Sequence, residues 1–144
     1  MAYTSRDMRR FNHLLQETDA VYHEMAQHWG LSDSVMGVLY TLCDAGGRCR
    51  LRDICYWSGM TKQTVNSATR RMVRQGLLTL TPGKGREMQM HLTEAGRQLA
   101  ARTVLPLARA ERAAIDALTE EELQTYLALS RKLLEQLRRT TAGL

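Results

Sequence analysis

Gln63, Asn66 and Arg70 are the side chains of this chain best suited to reading the edge of a base pair. An amide presents a donor beside an acceptor, which matches the edge of adenine, and a guanidinium presents a planar fork suited to guanine or to phosphate. Such readout needs a rigid support, and the stretch T-K-Q-T-V-N-S-A-T-R-R-M-V-R-Q-G supplies one. Thr61 is placed to cap a helix by accepting a backbone N–H, and Gly76 to stop it. Val65, Ala68, Thr69, Met72 and Val73 recur at i, i+3, i+4, i+7 and i+8, so that face is expected to pack inward. Gln63, Asn66, Ser67, Arg70 and Arg74 form the opposite face.

The elements around this helix follow from the same signals. A short helix is expected from about Leu51 to Trp57, then a turn at Ser58-Gly59. Leu77 to Thr81 and Glu87 to Leu92 alternate across Pro82-Gly83-Lys84-Gly85, which reads as a β-hairpin with a basic tip. Helix, tight turn, polar-faced helix and basic hairpin is the order of a winged helix-turn-helix, whose second helix enters the major groove of double-stranded DNA. The expected groove residues are Thr61, Lys62, Gln63, Thr64, Asn66, Ser67 and Arg70, with Arg74, Lys84 and Arg86 as backbone or wing residues. Charge agrees: from Arg48 to Met90 nine basic residues face only Asp53 and Glu87, while the rest of the chain holds 11 basic and 13 acidic residues. A basic face of this kind neutralises phosphates and releases counterions.

The flanks read as helices. Residues 5–29 place Phe11, Leu14, Leu15, Thr18, Tyr22, Met25, Ala26 and Trp29 on one stripe. A second helix is expected over about 34–43, and Arg48 to Arg50 as a short edge strand. After the hairpin, Thr93 opens a long helix that Pro106 should bend. Thr119 and Glu122 form a capping box before a last helix that runs to about Arg139. These stripes exceed what a small winged domain can cover, so a homodimer is expected. The fold class is therefore mainly α with a small β-wing (α+β), in three parts: an N-terminal dimerisation helix over 1–30, a winged helix-turn-helix domain over 31–92, and C-terminal dimerisation helices over 93–144. No apolar run suggests a membrane span, and M-A-Y-T-S-R-D-M-R-R holds no apolar signal core, so the expected location is the cytoplasm.

The chain resembles the MarR family of bacterial transcriptional regulators. The resemblance is carried by T-K-Q-T-V-N-S, by R-M-V-R-Q-G-L-L leading into the wing, by H-L-T-E-A-G-R after it, and by D-A-L-T-E-E-E-L before the final helix. It implies a homodimer on an inverted-repeat operator, with repression relieved by a small-molecule effector or by oxidation. The family's wing often carries Asp-x-Arg; here Arg86 is present but Lys84 stands at the Asp position. Arg86 is carried over as a minor-groove residue on that basis.

Other constellations carry less. Cys49, flanked by Arg48 and Arg50, is the best redox candidate, because neighbouring cations favour a thiolate. Cys43 and Cys55 sit at apolar-periodic positions, and the family's peroxide-sensing members place their reactive cysteine in the first helix, where this chain has none. His13, His23, His28 and His91 give no metal-ligand set beyond the Glu24/His28 pair, so neither a metal nor another cofactor is expected. Met8, Met25, Met36, Met60, Met72, Met88 and Met90 read mainly as core; an effector pocket, if present, is expected at Tyr22, Trp29, Met36 and Tyr40. Tyr56 and Trp57 are expected to pack against the wing or the helical flank. No phosphate loop, nucleophile elbow or paired-carboxylate setting appears, so no enzyme is expected. The alternatives to an effector-relieved repressor are an effector-independent activator or architectural DNA-binding protein, a thiol redox regulator, and a winged module that binds protein.

Overall fold

The computed structural model describes residues 5–144; the first four residues of the expected 1–30 segment, and that part of the signal-free start, lie outside the described residues. The chain divides into two compact units, one ending at Leu105 and the other spanning Pro106–Leu144.

The first unit begins with α1 (Arg6–His28) and α2 (Asp33–Asp44), each N-capped by a serine hydroxyl: Ser5 accepts from the Met8 N–H and Ser32 from the Val35 N–H. A short strand β1 (Arg48–Arg50) runs directly into α3 (Leu51–Ser58), and α4 (Lys62–Arg74) follows. Then come β2 (Leu78–Pro82), β3 (Met88–Leu92) and α5 (Glu94–Arg102). The three strands form one antiparallel sheet in the order β1-β3-β2. Pairing Arg48 with His91 and Arg50 with Gln89 puts the start of α3 beside the hairpin. The core lies between α2, α3, α4 and the sheet, where Leu39, Leu42, Ile54, Val65, Met72, Leu78 and Met90 are fully or nearly fully buried. Each such side chain contributes roughly 1.5–3 kcal/mol of burial.

Glycine settles two joints. Gly59 ends α3 at φ 70°, and Gly76 follows α4 at φ 73°. At the second, the Gly76 and Leu77 N–H groups donate back to the Val73 and Met72 carbonyls, a Schellman closure that turns the chain into β2. The base of the hairpin is then tied to α5. The Thr93 hydroxyl accepts from the Gly96 N–H (3.1 Å) and donates to the Gly76 carbonyl (2.6 Å), while the Thr93 N–H donates to the Leu77 carbonyl (3.0 Å).

Four expectations change. Pro82 is the last residue of β2 rather than part of the turn, which occupies 83–87. β2 is a sheet edge, so a residue without an N–H fits there. Val73 is 37% exposed, not inward. Eight residues make more than two turns, so Val73 has drifted about 80° round the helix from Val65. The long bent helix after the wing is two helices, broken at Thr103 (φ −129°, ψ −89°). Pro106 falls in the first turn of α6 (Val104–Asp116), where N–H groups have no helical acceptor in any case. Tyr56 and Trp57 form an edge-to-face pair, 5.0 Å between centroids, but remain 77% and 75% exposed rather than packed on a neighbour.

The second unit holds most of α6 and all of α7 (Glu120–Thr141), two residues longer than expected. Its capping box forms as read: the Glu122 N–H donates to the Thr119 hydroxyl and the Thr119 N–H to the Glu122 carboxylate. Ile115, Leu118, Tyr126, Leu127, Leu129 and Leu134 are each more than 40% exposed, and on α1 so are Leu14, Leu15 and Val21. No helix among the described residues is long and apolar enough to cross a membrane.

Candidate nucleic-acid interface

α4 is held from one side and offered from the other. Val65, Ala68, Thr69 and Met72 are buried, and the Thr69 hydroxyl lies 3.6 Å from the Met90 sulfur of β3. Thr61 caps the helix, accepting from the Thr64 N–H at 3.2 Å and donating to the Thr64 hydroxyl at 2.9 Å. Those two hydroxyls are thus engaged with each other at the helix start. Lys62, Gln63, Thr64, Ser67, Arg70, Arg71 and Arg74 are exposed, and Asn66 is half-buried. The helix carries four cations and no acid.

Between α4 and the hairpin runs a cleft of about 590 Å³. Lys62, Asn66 and Arg70 line it from α4, Arg50 and Arg52 from β1 and α3, and Arg86 and Glu87 from the tip; Cys55, Leu80, Met88 and Met90 supply apolar wall. Five cations therefore converge with one acid. The cleft gathers four of the ten expected DNA-facing residues: Lys62, Asn66, Arg70 and Arg86. Thr61, Gln63, Thr64, Ser67, Arg74 and Lys84 lie outside its lining but are solvent-exposed.

Arg50, Arg52 and Glu87 were missed as site residues by sequence reasoning. Arg50 Nε donates to Asp53 at 2.9 Å, and its Nη1 stands 3.6 Å from Glu87; Arg52 Nη1 stands 3.2 Å from the other Glu87 oxygen. The Arg50 guanidinium holds the Asp53 carboxyl below its ordinary value, chiefly by hydrogen bonding, and Asp53 in turn raises Arg50. All four side chains are more than a third exposed, and such surface pairs contribute about 0–1 kcal/mol each. The network orients more than it stabilises. Local charge counting includes these residues, but only the β1–β3 register brings positions 50 and 52 beside 87.

The redox expectation at Cys49 loses its premise. Cys49 is 8% exposed, facing inward from β1. Burial, with the Asp53 charge adding to it, pushes its thiol up to about 11, away from the low value a sensor needs. Arg50, one of the two flanking cations expected to favour a thiolate, is engaged with Asp53 and Glu87. Burial raises Cys43 as well. Of the expected effector residues, Met36 is core at 6% exposure, while Tyr22, Trp29 and Tyr40 are half-buried on α1, its C-cap and α2. Among the described residues no three His, Cys, Asp or Glu side chains gather into a metal-binding group.

Residues 29–87 match the model of the MarR family. No curated protein sequence matches the chain. Among solved structures, the chain is similar to a MarR family regulator from Neisseria meningitidis (TM-score 0.80, 21% identity, covering 96% of this chain and 99% of that one). It is similar to BpsR of Bordetella bronchiseptica, whose DNA binding is regulated by 6-hydroxynicotinic acid (TM-score 0.67, 21% identity, 92% and 97% covered). It is also similar to MepR of S. aureus, solved with DNA (TM-score 0.69, 20% identity, 95% and 98% covered).

Proposed function

We propose that the chain, whose residues 29–87 match the MarR family model, is a cytoplasmic, homodimeric transcriptional repressor that binds an inverted-repeat operator and is relieved by a small-molecule effector. The observation that carries the reading is the convergence of Arg50, Arg52, Lys62, Arg70 and Arg86 on one cleft between α4 and the wing. In this reading α4 lies in the major groove, with Gln63, Asn66 and Arg70 toward base edges and Thr61, Lys62, Thr64 and Ser67 around them. Arg86 enters the adjacent minor groove, drawn by its negative potential, while Arg74 and Lys84 neutralise phosphates.

Dimerisation rests on the exposed apolar side chains of α1, α6 and α7. These side chains are already about half covered, so each yields about half of the roughly 1.5–3 kcal/mol of a full burial; over the nine, Leu118 between α6 and α7 included, the gain is of the same order as the cost of association. Residues 1–30 and 93–144 would then serve as the dimerisation segments around the 31–92 domain. Two-fold symmetry matches two recognition helices to two half-sites. Effector relief takes its support from BpsR; Tyr22, Trp29 and Tyr40 are the lining proposed, and an effector shifts DNA affinity only by its differential affinity for the two forms.

Selection of bound duplexes from a random pool, with sedimentation of the complex, tests this directly. Enrichment of an inverted repeat bound by two copies is expected. A monomer indifferent to duplex DNA at low salt would overturn the reading.

A further inference from the structure

We propose that Glu87 is the positioning residue of the wing: its carboxylate, held between Arg50 and Arg52, fixes the bearing of Arg86 at the mouth of the cleft. The inference rests on the DNA-binding reading above and adds to it the residue that orients the wing.

Glu87 is the single acid in a cleft lined by five cations. Beside phosphates a negative charge lowers affinity, so electrostatics alone gives it no role there. Its geometry does. The two carboxylate oxygens go to different partners, one 3.6 Å from Arg50 and the other 3.2 Å from Arg52, which fixes the plane of the group as well as its position. Arg50 is itself tied to Asp53 in the first turn of α3 by two hydrogen bonds, at 2.9 and 3.3 Å, so Glu87 grips a held side chain. Its backbone does the complementary work. The Glu87 carbonyl accepts from the Gly83 N–H at 2.6 Å and closes the turn, and a Cβ on Gly83 would come within 3.0 Å of that oxygen. Glu87 thus closes the tip with its main chain and ties it to α3 with its side chain. Arg86 is the next residue back along the chain, exposed, with no ion pair among the described residues. The direction in which Arg86 leaves the wing is therefore set at Glu87. Lys84, the other exposed charge of the turn, is a cation and cannot supply this anchor.

The two roles of an acid in this place predict opposite results. A charge that merely repels DNA would, when removed, raise affinity for every duplex alike. An acid that aims Arg86 would, when removed, cost discrimination. The full-length wild type, Glu87→Gln, Arg86→Ala and the double variant are titrated against the selected operator and a scrambled duplex of equal length at two salt concentrations. Glu87→Gln is expected to lower operator affinity about tenfold, while affinity for the scrambled duplex holds or rises about threefold. In the Arg86→Ala background the same change should cost the operator less than about threefold, because coupled residues are not additive. Backbone amides of residues 83–87 should exchange faster in Glu87→Gln without DNA. Glu87→Asp, which keeps the charge but is too short to span both partners, should fall between, with an unchanged melting curve. A parallel rise on both duplexes overturns the proposal, and so does an undiminished operator loss in the Arg86→Ala background. If the wild type binds neither duplex, the regulator reading fails; the exchange rates of residues 83–87 in the free protein then decide by themselves whether Glu87 holds the tip.

Discussion

Replacing Gly96 with alanine should destabilise the protein, although alanine is the better helix former. Gly96 is the third residue of α5, and its N–H is capped by Thr93. A Cβ there would fall inside van der Waals contact of the Leu77 carbonyl oxygen, with the Leu92 Cδ2 at 3.0 Å and the Leu77 carbonyl carbon at 3.3 Å. The obstacle is backbone, and that same carbonyl accepts the Thr93 N–H. It cannot swing aside as a flexible side chain would. Helix propensity favours the substitution by about 1 kcal/mol. Overpacking costs about 1–3 kcal/mol, and displacing the Leu77–Thr93 hydrogen bond costs about 1 kcal/mol more. The balance is a net loss of about 1–3 kcal/mol. With a urea m-value of about 1–3 kcal/mol/M, the unfolding midpoint should drop by roughly 1 M. Ala95→Gly, at the exposed neighbouring position, isolates propensity and should cost about 1 kcal/mol or less. Opposite substitutions at adjacent positions should thus both destabilise. A Gly96→Ala midpoint at or above wild type would refute the claim that α5 sits directly on the Leu77 backbone.

Further outcomes follow from the interface. Arg86→Ala should weaken operator binding at least about tenfold with an unchanged melting curve, measured by gel-shift titration. Gln63→Ala should alter sequence preference by about 1–3 kcal/mol at one base pair while sparing non-specific affinity; a uniform loss across sequences would assign Gln63 to phosphate. Cys49, with its thiol near 11 against an ordinary 9.0, carries roughly a hundredfold less thiolate at neutral pH. In native protein at pH 7.5, mass mapping of iodoacetamide adducts should show Cys49 the slowest of the three cysteines. The raised value also favours the folded state below pH 9.0, a contribution lost as pH climbs through about 11. Early loss of Cys49 to the reagent would contradict its burial.

The signals that rest on short sequence separation were legible. The caps at Thr61 and Thr119, the stop at Gly76 and the inward arc Val65, Ala68, Thr69 and Met72 each depend on residues within one or two helical turns. Val73 failed because a residue eight positions on has drifted off the arc. Pro106 failed because a proline near a helix start and one in a helix interior look alike until the break at Thr103 is known. The site was half legible for the same reason. Lys62, Asn66 and Arg70 share one helix, so periodicity grouped them. Arg50, Arg52 and Glu87 meet only through strand register, which no local spacing reports. Cys49 was misjudged because adjacency to two arginines says nothing about which face of a strand a thiol takes. The exposed Tyr56–Trp57 pair has no account in what surrounds it.

The strand order β1-β3-β2 leaves β2 with one rank of main-chain donors and acceptors facing no other strand among the described residues. An open rank of that kind is a template on which another molecule's strand can nucleate, the first step toward aggregates. Here it is five residues long and closes on Pro82, which withholds a donor at its far end. Solubility at high concentration therefore depends on a residue that no reading of the cleft would select: Pro82→Val should lengthen the template and make concentrated protein precipitate sooner, with the cleft untouched.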